Sequence, residues 1–399
     1  MSTPLVTIHP FDPWGSKIGG IETVVRSMLQ HAPDDFDLSL VGVTENPAAR
    51  PPGQWQLLDF RGRPLHFYPL FAVEQPNRRT WIPLFLRFPL RLRLKRFRFD
   101  QAAVVYHRIE PPAFTNIPSK INALCVHGDP REMTGPRSEV RWRCAPRLYR
   151  RMESRAVRKS HRLFVVSREG VSYFQEHYPS KAHAVSFLPT YYRDDVFTLS
   201  DPSQTDPLRR RFIDRFQLAG DARFVLFAGR WEEQKNPLLA LRTFAALSAR
   251  HPGVHLLLAG GGSLQPQMEA MIQSLQISGR VHFLGPLPPH DLADAMRASD
   301  AFLMSSRFEG MPIAALEALA CGLPTASTDA GEIRPILQEG INGRIASAPD
   351  PESLAQALSD VIASPHRYRR EACARSVEAY RPASILPAFF DALRKTILL

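Results

Sequence analysis

From residue 224 onward, short apolar runs alternate with segments of helical spacing, and that alternation leaves few folds open. Runs at 224–230, 254–259, 281–284 and 301–304 read as strands, and another opens at Thr325. Between them, 268–275 and 292–296 carry apolar residues at helical intervals. Strands separated by single helices return in the same direction, so the pattern predicts a doubly wound parallel sheet.

The first half repeats the pattern more loosely. A strand at 5–8 runs into a Pro- and Gly-rich loop ending Lys17-Ile18-Gly19-Gly20, followed by helical spacing over 21–29. Strand, glycine turn and helix open a Rossmann-like unit, in which paired glycines let backbone amides approach a ligand. A plain tight turn explains Gly19-Gly20 equally well. Further strands are expected at 37–43, at 102–107, at 123–126 before His127-Gly128-Asp129, and at 163–166 before Ser167. Each ends in small or polar residues, as strands do when their carboxyl ends line a crevice.

Composition is that of a globular protein of two or three domains: 399 residues, 44% hydrophobic and 22% charged. The 36 prolines are scattered, which implies turns rather than disorder. Four cysteines, Cys125, Cys144, Cys321 and Cys373, stand too far apart for a metal pairing or a disulfide framework, so a reducing cytoplasmic compartment fits. The start shows no basic end followed by an apolar core, and no run of about 18 apolar residues occurs. Neither a signal peptide nor a membrane span is expected.

The net charge of +11 is uneven. Residues 61–162 hold 23 Lys and Arg against 7 Asp and Glu, a net of +16, which leaves −5 for the rest. Two basic stretches dominate, 85–99 and 146–162. On a helix over 85–99, Arg87, Arg91, Lys95 and Arg98 fall on one face and Leu86, Leu90, Leu94 and Phe97 on another. Either these are ordinary helices with solvated Arg, or they dock on an anionic membrane surface. A nucleic-acid role needs a recognisable module, and none is present.

The stretch 307–324, Arg-Phe-Glu-Gly-Met-Pro-Ile-Ala-Ala-Leu-Glu-Ala-Leu-Ala-Cys-Gly-Leu-Pro, reads as a loop, a short helix and a strand entry. Pro312 fits the first helical position, and Gly322 with Pro324 ends the helix. Glu309 in the approach loop and Glu317 among Ala and Leu do not suit a plain packing helix, because a buried carboxylate needs donors. Free amides at the helix start suit a phosphate, and Glu317 then suits a ribose hydroxyl. Arg230 follows a strand and Gly229, and Lys235 follows five residues later. Two cations facing a crevice suit a diphosphate; a solvated loop with Glu232 and Glu233 is the alternative. The triple glycine 260–262 is either a ligand cradle or a sharp turn. His127 is either a crevice residue or structural.

Taken in order, these features resemble the retaining nucleotide-sugar glycosyltransferases of the GT-B architecture, in the group 1 family with a Glu, seven residues, Glu signature. Glu309 and Glu317 match that signature. Gly229-Arg230 to Lys235-Asn236-Pro237 looks like the family's Arg and Lys clamp. Phe283-Leu284-Gly285, Ala298-Ser299-Asp300, Ala320-Cys321-Gly322-Leu323-Pro324 and Ala330-Gly331-Glu332 look like its other landmarks. The match is strong over 224–346 and loose before it. Two departures stand out. Pro189-Thr190-Tyr191-Tyr192-Arg193 replaces the usual Pro-Asn-Gly, and Ala330 replaces the first of two glycines.

The resemblance implies two doubly wound Rossmann-like domains facing across a cleft. Residues 1–188, joined by a C-terminal helix over 380–399, form the acceptor domain. Residues 189–222 form a linker and 223–379 the donor domain. It implies catalytic roles for His127, Arg230, Lys235 and Glu309. It implies donor binding by Gly19, Gly20, Gly229, Gly310, Met311, Pro312, Ile313 and Glu317. The implied reaction moves a hexosyl group, with retention, from a nucleoside-diphosphate sugar (GDP-mannose or a UDP-sugar) to a glycan acceptor. That acceptor is lipid-linked, at the cytoplasmic face of a membrane, in surface polysaccharide assembly. No metal or cofactor is expected. A nucleotide-sugar epimerase of similar fold and a non-catalytic glycan- or nucleotide-binding protein are the alternatives.

Overall fold

The computed structural model describes residues 2–16, 19–74, 82–128, 131 and 141–398. Lys17, Ile18 and Asp129 of the motifs above lie outside the described residues. The chain divides into two compact units. One comprises Met1–Pro136, Val140–Thr190 and Pro382–Leu399, and the other contains Tyr191–Arg381.

The first unit holds the strands β1 (Thr3–Ile8), β2 (Phe36–Thr44), β3 (Gln56–Phe60), β4 (Arg63–Ala72), β5 (Phe99–Tyr106), β6 (Ser119–Val126), β7 (Arg162–Val165) and β8 (Val185–Phe187). They form one sheet in the order β3-β4-β2-β1-β5-β6-β7-β8, parallel except for β3 against β4. Around it lie α1 (Gly20–Gln30), α2 (Leu84–Lys95), α3 (Glu110–Phe114), α4 (Pro146–Lys159) and α5 (Arg168–His177). In the order that runs outward from β1, β2 lies on one side and β5 on the other, so the winding reverses there. Ligand crevices form outside the carboxyl ends of strands at such a reversal.

The second unit holds α6 (Pro202–Phe216), β9 (Arg223–Ala228), α7 (Pro237–Arg250), β10 (Val254–Ala259), α8 (Gln265–Ser274), β11 (Val281–Gly285), α9 (Pro289–Ala298), β12 (Ala301–Met304), α10 (Ile313–Ala320), β13 (Thr325–Ser327), β14 (Gly343–Ile345), α11 (Pro351–Ala363) and α12 (Arg370–Ser376). Its six strands run parallel in the order β11-β10-β9-β12-β13-β14, reversing between β9 and β12. Phe224, Val225, Leu226 and Phe227 on β9 are all buried, because helices cover both faces. The last helix, α13 (Pro382–Leu398), belongs to the first unit, where Phe389 meets Phe164, Phe390 meets Phe36 and Arg394 pairs with Asp35.

Two expectations change, and one hairpin was not foreseen. The segment 189–222 is not a bare linker. From Tyr191 it belongs to the second unit, and α6 packs on α9, with Arg209 holding Asp300 at 3.1 Å. The polar sequence hid this helix because its contacts are ion pairs and aromatic edges. The basic helix ends at Lys95 rather than running to Phe99, because Arg96 takes a left-handed conformation (φ 50°) and β5 starts at Phe99. Its core side is Phe88 and Leu92, whereas Leu90 and Leu94 are 51% and 79% exposed. Finally, the region before it contains the hairpin β3–β4. Its two-residue turn puts Arg61 and Gly62 at φ 55° and 82°, a conformation that Arg seldom signals.

Candidate active site

In the second unit, the loops after β9 and β12 carry the chemistry. The β9 loop is shaped by a close backbone approach. A side chain on Gly260 (φ 140°) would put its Cβ 1.9 Å from the Gly229 carbonyl oxygen. The amide of Gly229 donates to Ala259, that of Gly260 to Gly285 and that of Trp231 to Gly261. The triple glycine therefore lets the two strand-end turns interlock under buried Trp231. Packing explains it without a ligand.

That interlock aims Arg230 and Lys235. Arg230 is exposed, and its Nη2 donates to Gln234 Oε1 at 3.0 Å. Gln234 in turn ties the two loops: its carbonyl accepts from the Arg307 amide at 2.8 Å, and its Nε2 donates to the Phe308 carbonyl at 3.3 Å. Lys235 Nζ donates to Glu309 Oε1 at 2.5 Å. Ser306 Oγ donates to the same oxygen at 2.7 Å. Glu309 is buried, and its desolvation is offset by these two donors. Its other oxygen, Oε2, has no hydrogen-bond partner among the described residues.

Gly331 fixes the other side of this loop. Its φ is 60°, and a Cβ there would stand 2.3 Å from the Glu309 carbonyl oxygen. The Glu332 amide donates to the Gly310 carbonyl at 3.3 Å. Ala330, where the family pattern has a glycine, sits at φ −133°, an extended conformation open to any residue. The substitution there is thus accommodated without strain.

The helix start differs from expectation by one residue. Pro312 is the residue before α10, and the helix begins at Ile313. Pro312 has no amide proton, and the Ile313 amide returns to the Met311 carbonyl at 2.9 Å. Donors toward a phosphate are therefore fewer here than the sequence implied, and the positive charge rests on Arg230 and Lys235. At the far end the Gly322 and Leu323 amides bond back to Leu319 and Ala318, closing the helix.

Glu317 is half-buried, and no described residue hydrogen-bonds its carboxylate. Burial pushes its pKa up to about 8, against the opposing fields of Arg193 and Lys235. Arg193 was missed in the sequence; it follows the Tyr191-Tyr192 pair and is held by a bidentate bond to Asp195.

The remaining expected residues lie in the first unit, at the carboxyl ends of β1, β5 and β6. Gly19 precedes α1, and the Glu22 carboxylate stands directly over it, where a Cβ on Gly19 would meet Glu22 Oε2. Glu22 Oε1 is 3.5 Å from Nε2 of buried His9. His127 is half-buried, and its Nε2 lies 2.9 Å from Nδ1 of buried His107. Burial, with the fields of His9 and Arg108, lowers the His127 pKa to about 3, so the ring is neutral at physiological pH. Arg108 is itself gripped by Glu110, which also accepts from Trp142 Nε1. His9, Glu22, His107 and Arg108 went unnoticed in the sequence; the available signal was a strand-end position for His9, His107 and Arg108, and the first turn of α1 for Glu22. Among the described residues, no group of three or more His, Cys, Asp or Glu could hold a metal ion.

Thus the structure brings Gly229, Arg230, Lys235, Glu309, Gly310, Met311, Pro312, Ile313 and Glu317 together at one strand reversal. Gly19, Gly20 and His127 gather around the corresponding reversal of the other unit.

Two Rossmann-like units of this kind make the GT-B architecture. Residues 209–378 match the family described as glycosyl transferases group 1. Over 225 residues the chain is 30% identical to the D-inositol 3-phosphate glycosyltransferase of Corynebacterium jeikeium, covering 54% of this chain and 52% of that one. The chain thus spans about half the length of the curated relatives it matches. Sucrose-phosphate synthase from Thermosynechococcus elongatus superposes with a TM-score of 0.76 at 18% identity, over 98% of each chain. The catalytic domain of starch synthase IV from Arabidopsis thaliana, bound to ADP and acarbose, gives 0.73 at 13% identity over 100% of each chain. At these identities the two structures share the fold.

Proposed function

We propose that the protein is a retaining glycosyltransferase, moving a hexosyl group from a nucleoside-diphosphate sugar to a glycan acceptor without a metal. The carrying observation is the Lys235–Glu309 pair, with one Glu309 oxygen left open beside it. Arg230 and Lys235 hold the diphosphate and stabilise charge growing on the leaving group. The Gly310 and Met311 backbone adds to that cradle. Glu317, a carboxylate with no internal hydrogen bond, accepts from the ribose hydroxyls. Glu309 Oε2 faces the donor sugar and stabilises positive charge at the anomeric carbon. For the first unit, the reading assigns His127 to a sugar oxygen, and Gly19 and Gly20 to the phosphates and acceptor. The bond from anomeric carbon to phosphate oxygen breaks, the acceptor oxygen bonds on the same face, and the leaving phosphate takes its proton.

The acceptor is a lipid-linked glycan reached at the cytoplasmic face of an anionic membrane. The observation favouring this is α2, whose exposed Leu90 and Leu94 stand among Arg91, Arg93 and Lys95. An outward leucine pair flanked by cations suits a bilayer interface better than water. No described helix is long and apolar enough to cross a membrane.

The test is nucleoside-diphosphate release from a panel of GDP- and UDP-sugars, with the product anomer assigned by NMR. A donor that raises the melting temperature and yields a product of retained configuration supports the reading. Release with inversion, or epimerised donor and no transfer, overturns it.

A further inference from the structure

His107 follows β5, and only 2% of it is exposed. Its ring stacks on that of His127, with centroids 5.2 Å apart and planes inclined by 21°. His107 Nδ1 and His127 Nε2 are 2.9 Å apart, a hydrogen bond between two imidazoles. Burial lowers both pKa values, His107 well below its ordinary range, and His9 adds to the effect on each. Both rings are then neutral, so one nitrogen of the pair must donate and the other accept.

The far side of His107 decides which. Its Nε2 is buried and has no hydrogen-bond partner. Were His127 Nε2–H the donor, His107 would accept on Nδ1 and carry its own proton on Nε2. That would bury an N–H with nothing to receive it, the rarer and costlier kind of orphan. With the proton on His107 Nδ1, the orphan is only a lone pair. His127 must then carry its proton on Nδ1, the nitrogen that no described residue bonds.

We propose that His107 is a positioning residue: its Nδ1–H locks His127 as the Nδ1–H tautomer, so that His127 offers a donor rather than an acceptor to its ligand. The preferred ligand atom is therefore an oxygen with a free lone pair, a sugar hydroxyl or a phosphoryl oxygen. The use of that donor rests on the glycosyltransferase reading above; the tautomer itself does not.

Imidazole nitrogen NMR on the full chain tests the tautomer without substrate. The expected spectrum shows His127 protonated on Nδ1 with Nε2 accepting. His107→Phe keeps an aromatic ring and removes the donor, and should release His127 toward the Nε2–H form. It should lower kcat 10- to 100-fold with KM within about threefold. His107→Asn places an amide N–H near the original Nδ1 and should restore at least tenfold of a hundredfold loss, along with the tautomer. His127 protonated on Nε2 in the unmodified protein overturns the proposal. So does a His107→Phe variant with unchanged tautomer and turnover. If that variant fails to fold, the unmodified spectrum and His107→Asn still decide. An Nδ1–H spectrum in a protein that turns over no nucleotide sugar upholds the tautomer and rejects the glycosyltransferase reading alone.

Discussion

Lys235 Nζ stands 2.5 Å from Glu309 Oε1, and this pair joins the loop after β9 to the loop after β12. Both side chains are largely shielded, at 20% and 6% exposure, so neither can lose the other cheaply. Lys235→Ala should lower kcat/KM by roughly 10²- to 10³-fold, the usual scale for removing one group that stabilises the departing charge. It should also destabilise the fold, by about 1–3 kcal/mol, because buried Glu309 keeps only Ser306. Glu309→Gln should be as inactive yet lose less stability than Lys235→Ala, since an amide oxygen still accepts from Lys235 and Ser306 and no buried carboxylate is left unpaired. The double variant should be scarcely worse than either single one. Steady-state kinetics with urea titration checks all three, and additive losses would contradict a shared role.

Glu317 makes donor binding pH-dependent in a defined direction. Its carboxyl has an ordinary value of 4.5 and rises to about 8 in the fold, chiefly through burial. A raised carboxyl pKa means that the neutral form suits the folded protein. Its contribution to stability is fully present below pH 4.5 and is lost as pH rises through about 8. A ribose that donates to the carboxylate favours the ionised form and pulls that pKa down. Nucleoside-diphosphate binding at pH 7 should therefore release up to one proton. Titration calorimetry in buffers of different ionisation enthalpy measures this. Glu317→Gln should abolish the release, weaken binding about tenfold and flatten the fall in stability between pH 4.5 and about 8. Proton uptake on binding would contradict the assignment.

The Ala330-Gly331-Glu332 turn separates a needed glycine from a dispensable one. Gly331→Ala places a Cβ 2.3 Å from the Glu309 carbonyl in a left-handed conformation, and should lose about 2–4 kcal/mol together with most activity. Ala330→Gly, which restores the family pattern, should change activity less than twofold, because that position is extended already. Thermal denaturation and turnover of the two variants, side by side, give the contrast. Equal effects would mean that the turn does not hold the Glu309 loop.

Much of this was readable in the residues, for physical reasons. The second unit announced itself because its strands are buried on both faces and so appear as unbroken apolar runs. The charged groups announced themselves because Glu309 and Glu317 sit where carboxylates are otherwise costly. What stayed hidden depended on geometry that spacing does not encode. The Arg61-Gly62 turn needs a left-handed Arg. The α6 helix is held by Arg209 on Asp300 rather than by an apolar stripe. The His107–His127 bond joins residues twenty apart that only the pairing of β5 with β6 makes neighbours.

The surface of α2 gives the last expectation. Arg87 and Arg91 lie over the Phe71 ring at 5.0 and 5.3 Å, and Lys95 lies 6.0 Å from the Tyr68 ring. These contacts hold the cations beside a cavity of about 390 Å³ floored by Leu70, Phe71 and Ala72, with Leu94 at its rim. On a bilayer with anionic lipid, each cation near the surface adds roughly 1 kcal/mol. Arg91→Glu with Lys95→Glu reverses two of them, and should weaken co-sedimentation with phosphatidylglycerol-containing vesicles at least 30-fold. Leu90→Ser with Leu94→Ser removes the apolar insertion and should weaken it about tenfold, with less sensitivity to salt. Turnover of a water-soluble acceptor should stay within twofold in both, because neither change touches Lys235, Glu309 or Glu317. Equal affinity for neutral and anionic vesicles, or unchanged binding by both variants, would remove α2 from membrane contact and leave its leucines as ordinary exposed surface.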